Sequence, residues 1–499
     1  MNRTEERAGT GIPGLDDVLG GGLPARRLYL VKGTPGVGKT TLALQFLMEG
    51  ARRGEPVLYV TLSETEEEIH QVAHSHGWEL EGVKLFELSS AEQTLRLSDE
   101  NTIYAAEDVD LRETVRVLLD QVELMKPKRV VFDSLSEIRL LAQTAVRYRR
   151  QLLALKQYFA GRDCTTLLLD DRSDDASSDL QVESLTHGVI VLEQIPLQYG
   201  ADRRRLRVSK LRGSRYRSGY HDFAVHTGGL VVFPRLIAAE HRTDLMAEPI
   251  SSGVSGLDAL LGGGIDRATC TLIMGPAGVG KSAIASQFAV AACARDECAS
   301  VFLFEERIAT WVRRARQLGM PVDEQISHGK LHVHQVDPAE LAPDEFTHLV
   351  RCAVEREQSR VILIDSITGY FSAMPEARFL SLQMHELLSY LSERGVASLM
   401  TMAQAGLIGS HMTAPVDVSY LADTVLLLRY FEVEGRVRKA VSAVKKRSGR
   451  HEDAIRSVEL NSRGIVVGEP LKNLHGVLLG LPHILGPQSE SEKAQSGIR

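Results

Sequence analysis

The feature that most constrains this chain is that it contains one pattern twice. Residues 10–64 and 252–306 align without a gap at an offset of 242. The shared frame reads Gly11-x-x-Gly14-Leu15-Asp16-x-x-Leu19-Gly20-Gly21-Gly22, then Gly253-x-x-Gly256-Leu257-Asp258-x-x-Leu261-Gly262-Gly263-Gly264. Further along, Gln45-Phe46 matches Gln287-Phe288, and Glu64 matches Glu306. Solenoid repeats have units of about 20–50 residues, so so long a period means a duplicated domain. With 499 residues there is room for two full cores. We expect domains over 1–240 and 250–485, a linker over 241–249 and a tail over 486–499.

Each half alternates short apolar runs with helical stretches. Leu28–Val31 predicts a strand, and Lys39 to about Gly50 a helix with Leu42, Ala43, Phe46 and Leu47 on one face. Later runs end at Asp133, at Asp170 and near Leu192. The second half repeats them at Ile362–Asp365, Ala397–Thr401 and Val425–Leu428. Continuous apolar strands separated by helices indicate an α/β fold, a mainly parallel sheet covered on both faces.

Gly33-Thr34-Pro35-Gly36-Val37-Gly38-Lys39-Thr40 and Gly275-Pro276-Ala277-Gly278-Val279-Gly280-Lys281-Ser282 both fit G-x-x-x-x-G-K-[ST]. The glycines let successive backbone N–H groups turn toward phosphate oxygens, and the following helix adds its dipole. Lys39 and Lys281 would reach the β- and γ-phosphates of ATP, and the hydroxyls of Thr40 and Ser282 would bind Mg²⁺. Each motif follows a strand and precedes a helix, which is the context this chemistry needs. Asp133 and Asp365 each close an apolar strand, where an acid can hold the Mg²⁺ hydration shell. Glu305-Glu306 follows the strand after the second loop's helix, where a glutamate can polarise an attacking water or hydroxyl. The first half reads Ser63-Glu64 at the same place. If the first glutamate is the base, the first domain should be the slower or differently tuned ATPase.

A formal net charge of -7 gives no overall attraction to nucleic acid or anionic membranes. Yet residues 203–217 hold eight cations and no acid, and residues 436–450 hold seven. One reading has Lys210, Arg212, Lys445 and Arg447 crossing a subunit boundary to a neighbour's ATP. The other has these cations holding a nucleic-acid backbone. With 5% aromatics and no aromatic–basic interleaving, we favour the first. The polar N-terminus, the absence of a long apolar run and five dispersed cysteines point to a cytoplasmic protein without disulfides, and membrane association is not expected. His332 and His334 have no partners at metal-ligand spacing.

With these residues in hand, the chain resembles the KaiC-like family of double-domain, RecA-like P-loop ATPases and autokinases of bacterial clocks. The carriers are the doubled frame, the doubled loop, the Glu305-Glu306 pair, Lys210-Leu211-Arg212-Gly213 and Ala422-Asp423-Thr424-Val425. The resemblance implies two tandem RecA-like domains in a homo-oligomeric ring, a hexamer, with ATP and Mg²⁺ at subunit boundaries and clock or signalling proteins as partners. It places Ser75, Lys210, Leu211, Arg212, Ser214 and Tyr216 near the first domain's nucleotide, with Thr41 beside the first loop. In the second domain it places Ala283 beside the loop, adds Leu318 and Lys446, and puts Lys439, Lys445 and Arg447 on the neighbour's ATP. Glu305 would be the general base and a further Mg²⁺ neighbour. Family acceptors are an adjacent Ser-Thr pair just before the strand start; here that place holds Ser419-Tyr420. A phenol oxygen lies several Å beyond a threonine hydroxyl, so Ser419 is the expected acceptor. The first domain has Glu183-Ser184 there, which leaves phosphotransfer to the second domain alone. Lys445-Lys446-Arg447-Ser448-Gly449 reverses the family's Gly-Ser order, and the short tail lacks the family's extension. The expected activity is ATP hydrolysis with serine/threonine autophosphorylation. The alternatives are an ATP-gated scaffold without autokinase activity and a DNA-dependent motor.

Overall fold

A computed structural model describes residues 6–87, 116, 119–171, 182–197, 200–240, 248–372, 377–404, 406, 418–472, 474–479 and 483–484. The chain forms two compact units, Met1–Arg235 and Leu236–Arg499. The expected tail over 486–499 and most of the expected linker lie outside the described residues.

In the first unit the main sheet's strands are β1 (Leu28–Gly33), β2 (Val57–Thr61), β3 (Val83–Glu87), β4 (Arg129–Asp133), β5 (Thr165–Asp171), β6 (Gly188–Ile195), β7 (Arg203–Leu211), β8 (His221–His226) and β9 (Gly229–Phe233). They form one sheet in the order β3-β2-β4-β5-β1-β6-β7-β8-β9. From β3 through β6 the pairing is parallel; β6 to β9 continue it as antiparallel neighbours. The longer helices among the described residues are α1 (Lys39–Arg52), α2 (Glu66–Ser75), α3 (Leu135–Ala142) and α4 (Ala145–Phe159).

The second unit repeats this plan strand for strand. Its strands are β10 (Cys270–Gly275), β11 (Cys298–Leu303), β12 (Leu331–Gln335), β13 (Ser359–Asp365), β14 (Ala397–Ala403), β15 (Thr424–Val433), β16 (Arg436–Lys446), β17 (Ile455–Asn461) and β18 (Gly464–Pro470). Their order is β12-β11-β13-β14-β10-β15-β16-β17-β18. The helix after β10 is α5 (Lys281–Ala294), followed by α6 (Ile308–Gln317).

Side chains alternate across each sheet, so one apolar strand feeds two cores. Tyr29 and Val31 of β1 join Tyr59, Val131, Leu167 and Leu169 on the α1 face. Leu28 and Leu30 join Leu58, Val60, Phe132 and Leu168 on the α3–α4 face. α1 is buried beyond the predicted stripe: Leu44 and Gln45 lie inside with Leu42, Ala43, Phe46 and Leu47.

The repeated glycine frame holds each unit's first segment to its last strand. Asp16 accepts from the Thr10 amide at 2.9 Å and its hydroxyl at 2.8 Å; Asp258 does the same with Ser252, both at 2.7 Å. A Cβ at Gly14 would stand 1.9 Å from the Val232 carbonyl oxygen, so no other residue lets β9 pass so close.

Candidate nucleotide sites at the strand ends

Both loops sit at the carboxyl ends of the parallel strands, where ligands of open α/β sheets bind. Gly38 and Gly280 cap α1 and α5 at φ 113° and 116°, and neither helix has a side-chain cap. Their first N–H groups are therefore left for an anion. Val37 and Val279 are fully buried beneath the loops, anchoring the turns while their backbone stays at the surface. A Cβ at Gly36 would meet nothing within 4 Å, so the space beside that turn is open. These are features of a phosphate cradle, and ATP fits them.

The acid and hydroxyl predicted to serve Mg²⁺ are already together in each unit. Thr40 donates to Asp133 at 3.0 Å, and Ser282 donates to Asp365 at 3.0 Å. Mg²⁺ in such sites takes one or two protein ligands and completes its octahedron with phosphate and water oxygens, so this pair suffices. A second hydroxyl steadies each acid, from a different strand in each unit. Tyr59 of β2 donates to Asp133, and Thr401 of β14 donates to Asp365. Burial pushes the Asp133 carboxyl up, while the bonds from Tyr59 and Thr40 pull it down. Burial also drives the Tyr59 phenol well above its ordinary value, with Asp133 adding to the effect.

The lysines differ. Lys281 donates to the Pro276 carbonyl at 2.9 Å, and burial lowers its pKa against the opposing charges of Asp365 and Glu305. Lys39 donates to the Gly33 and Thr34 carbonyls at 3.1 and 3.0 Å and forms an ion pair with Asp171 at 2.7 Å. Asp171 was not among the residues singled out from the sequence. The available signal was the doublet Asp170-Asp171 at the end of an apolar strand, against Met402-Ala403 at the matching end of β14.

The glutamates separate by environment. Glu305 is exposed and accepts from Ser366, the residue after Asp365, at 2.9 Å. Glu306 is paired with Arg314 of α6 at 2.5 Å. In the first unit Val72 occupies the place of Arg314, and Glu64 keeps one buried carboxylate oxygen without a hydrogen-bond partner. Burial, and then the charge of Asp133, raises the Glu64 pKa.

The remaining predicted residues fall on two opposite edges. Thr271 of β10 lies opposite Thr424 of β15, and four residue steps, about 13 Å at ~3.3 Å each, carry β10 from there to Gly275. The strand-start edge holds Ser419, Tyr420, Lys445 and Arg447. Lys445 donates to the Ser419 and Ala422 carbonyls at 2.8 and 2.6 Å, and Arg447 to the Tyr420 carbonyl at 3.1 Å. Tyr420 is 55% exposed. The first unit matches this: Lys210 donates to the carbonyls of Glu183 and Thr186, and Arg212 to that of Ser184 at 3.2 Å. Burial lowers the Lys210 pKa. Glu183, at the acceptor position, is paired with Lys32. Leu211 is buried, Tyr216 packs against the same core, and Ser214 accepts from Arg7 at 3.3 Å.

Lys439 stands on the other edge. It lies opposite Tyr430, and its ammonium reaches the Gly278 carbonyl of its own loop at 3.4 Å. Of the three cations expected at a neighbour's ATP, Lys439 thus stands at the loop edge of its own chain, and Lys445 and Arg447 at the strand-start edge. Lys446 turns inward, 3% exposed, onto the Leu261 and Gly264 carbonyls at 2.7 and 3.2 Å and the Asp266 carboxylate at 3.2 Å. Those three partners hold its ammonium inside the fold. Thr41 is buried with its hydroxyl 3.3 Å from His76; Ser75 is exposed and donates to the Val72 carbonyl at 2.7 Å. Ala283 is buried, and Leu318 ends α6 against the core. The basic stretches are thus largely engaged inside the fold. Arg205 pairs with Glu193 at 2.9 Å and lies over Tyr220 with Arg207.

Among the described residues no helix is long and apolar enough to cross a membrane. A sequence profile of the KaiC ATPase family matches residues 8–237 and again 250–472. The circadian clock oscillator protein KaiC of Picosynechococcus sp. is 27% identical over 490 residues, 96% of this chain and 93% of the relative. The KaiC of Synechococcus elongatus is 27% identical over 493 residues, 97% and 93% of the two chains, and that of Prochlorococcus marinus (strain MIT 9313) 28% over 483, 95% of each. With both nucleotide loops in place and the profile matched over both halves, the chain belongs to the KaiC ATPase family.

Proposed function

We propose that the chain assembles into a homo-oligomeric ring, a hexamer by family resemblance, that hydrolyses Mg·ATP in both domains. In the second domain it passes the γ-phosphoryl group to Ser419 of a neighbouring copy. The observation that carries this reading is the separation of the two edges. In-line attack needs reacting atoms about 3–3.5 Å apart. Ser419 stands at the start of the strands and Lys281 beyond their ends, so a chain cannot serve its own Ser419 from its own loop. A head-to-tail ring brings one copy's strand-start edge to the next copy's loop.

In that arrangement Lys281 and the α5 N-terminus hold the phosphates, Ser282 and Asp365 hold Mg²⁺, and the neighbour's Lys445 and Arg447 border the site. Exposed Glu305 takes the proton from the Ser419 hydroxyl as its oxygen bonds to phosphorus and the bond to the β-phosphate oxygen breaks, leaving ADP. Glu183 carries no hydroxyl, so the first domain is left with hydrolysis. A cytoplasmic location and clock or signalling partners are part of this proposal by resemblance. The bulky Tyr420 beside the acceptor favours a second reading, a ring ATPase that signals without autophosphorylation.

Incubation with Mg·ATP followed by intact-mass analysis separates the two. Phosphate on the wild-type chain, absent from Ser419→Ala and Lys281→Ala, supports the kinase; ADP production without label supports the second reading. Lys281→Ala should weaken second-site nucleotide binding on the order of a hundredfold, since it removes a charge-assisted phosphate contact.

A further inference from the structure

Asp171 is where the two matched sites part. β1 sets Gly33 opposite Asp171, and β10 sets Gly275 opposite Ala403. One position thus carries a carboxylate in the first unit and a methyl group in the second. The carboxylate is fixed from both sides: Ser136 donates to Oδ2 at 3.0 Å, and Lys39 meets Oδ1 at 2.7 Å. In the second unit the matching hydroxyl, Thr368, accepts instead from the Ala403 backbone N–H at 3.1 Å. Lys39 therefore has all three ammonium protons engaged, on Gly33, Thr34 and Asp171. The second unit has its own additional acid, Glu305, but that one is held by Ser366 and not by the loop lysine.

A nucleotide entering the first site must take this ammonium over. ADP would present its β-phosphate to the lysine, and ATP would bring a γ-phosphoryl group and its further negative charge to the same ammonium. A fixed carboxylate 2.7 Å from the buried lysine opposes that added charge more than it opposes ADP, an effect that the 39% exposure of Asp171 moderates but does not remove. We propose that Asp171 is a selectivity residue: it sets the first site against the γ-phosphate, so that this site favours ADP over ATP relative to the second. The inference rests on the first loop being a nucleotide site.

The test is equilibrium binding of Mg·ADP and of Mg·AMP-PNP, a non-hydrolysable ATP analogue, to the full chain with Lys281→Ala, with and without Asp171→Asn. AMP-PNP should tighten about tenfold and ADP less than about twofold. The reciprocal variant, Ala403→Asp in a chain carrying Lys39→Ala, should weaken AMP-PNP about tenfold relative to ADP. Equal shifts for both nucleotides, or none in either background, overturn the assignment of Asp171 while leaving the loop a nucleotide site. Failure of the Lys281→Ala chain to bind either nucleotide overturns both.

Discussion

His221 lies fully buried at the start of β8, with Nδ1 accepting from the Arg235 N–H at 2.9 Å. Nε2 must then carry the proton, which it donates to the Arg217 carbonyl at 3.0 Å. Burial, before any other cause, holds its pKa down at about 4 against an ordinary 6.5. The unfolded chain therefore binds a proton that the folded one refuses. The stabilising difference is complete above about pH 6.5 and disappears as pH falls toward about 4, at a cost of about 3 kcal/mol. His221→Leu should lower stability at pH 7 by about 2 kcal/mol, because the Arg235 amide loses its acceptor, yet flatten the decline below pH 6.5. Each unit has one tryptophan, Trp78 and Trp311, so unfolding followed by Trp78 fluorescence in a Trp311→Phe background reads the first unit alone. An equal acid slope in both chains would rule His221 out as the cause. At this scale the loops, their lysines and the strand-end acids were legible in the sequence, because chemistry fixes both type and spacing. The partners of those acids were hidden, since Tyr59 and Thr401 do one job from different strands and no alignment of the halves brings them together.

A compensating exchange links α1 to β4. Arg129 is buried at the start of β4, donating to the Gly9 and Phe46 carbonyls at 2.7 and 2.9 Å and pairing with Glu55 at 2.5 Å. It passes so close to α1 that a Cβ on Gly50 would lie 2.6 Å from its Cδ. The second unit has Ala292 for Gly50 and Val361 for Arg129, an apolar contact without the ion pair. Gly50→Ala should therefore destabilise by about 1–3 kcal/mol through overpacking, despite the better helix propensity of alanine. Arg129→Val alone should cost about 3 kcal/mol by leaving Glu55 unpaired. Together the two should cost at least about 1 kcal/mol less than their sum, measured by urea unfolding; strict additivity would refute the coupling. Sequence patterning marked the central strands β1, β4, β5 and β6 with β13, β14 and β15, whose apolar runs are continuous, but not the mixed edge strand β3 (Val83-Lys84-Leu85-Phe86-Glu87), nor β7 and β16. In β7 Leu206 and Val208 alternate with arginines, so the cations masked the period-two signal; in β16 the buried run is only Ala440–Ala443, closed in by Lys439 and Lys445.

For the whole molecule, the opposed edges predict complementation between defective copies. A chain with Lys281→Ala has an acceptor and no second-domain donor; a chain with Ser419→Ala has the reverse. Neither should be labelled alone. Mixed in equal amounts with Mg·ATP, the Lys281→Ala chain should take up phosphate on Ser419, seen by mass. Label on a chain kept too dilute to associate would contradict the geometry. The duplication that announced the fold also announced this arrangement in part: it pointed to two loops of one kind, while the direction each faces follows only from the strand register.

If the second domain holds its phosphoryl donor at one rim and offers Ser419 at the other, as proposed, an isolated copy is silent in this chemistry. A mark on Ser419 would then record company: it reports that another copy has docked, so the same modification reads out local abundance before any further protein is involved.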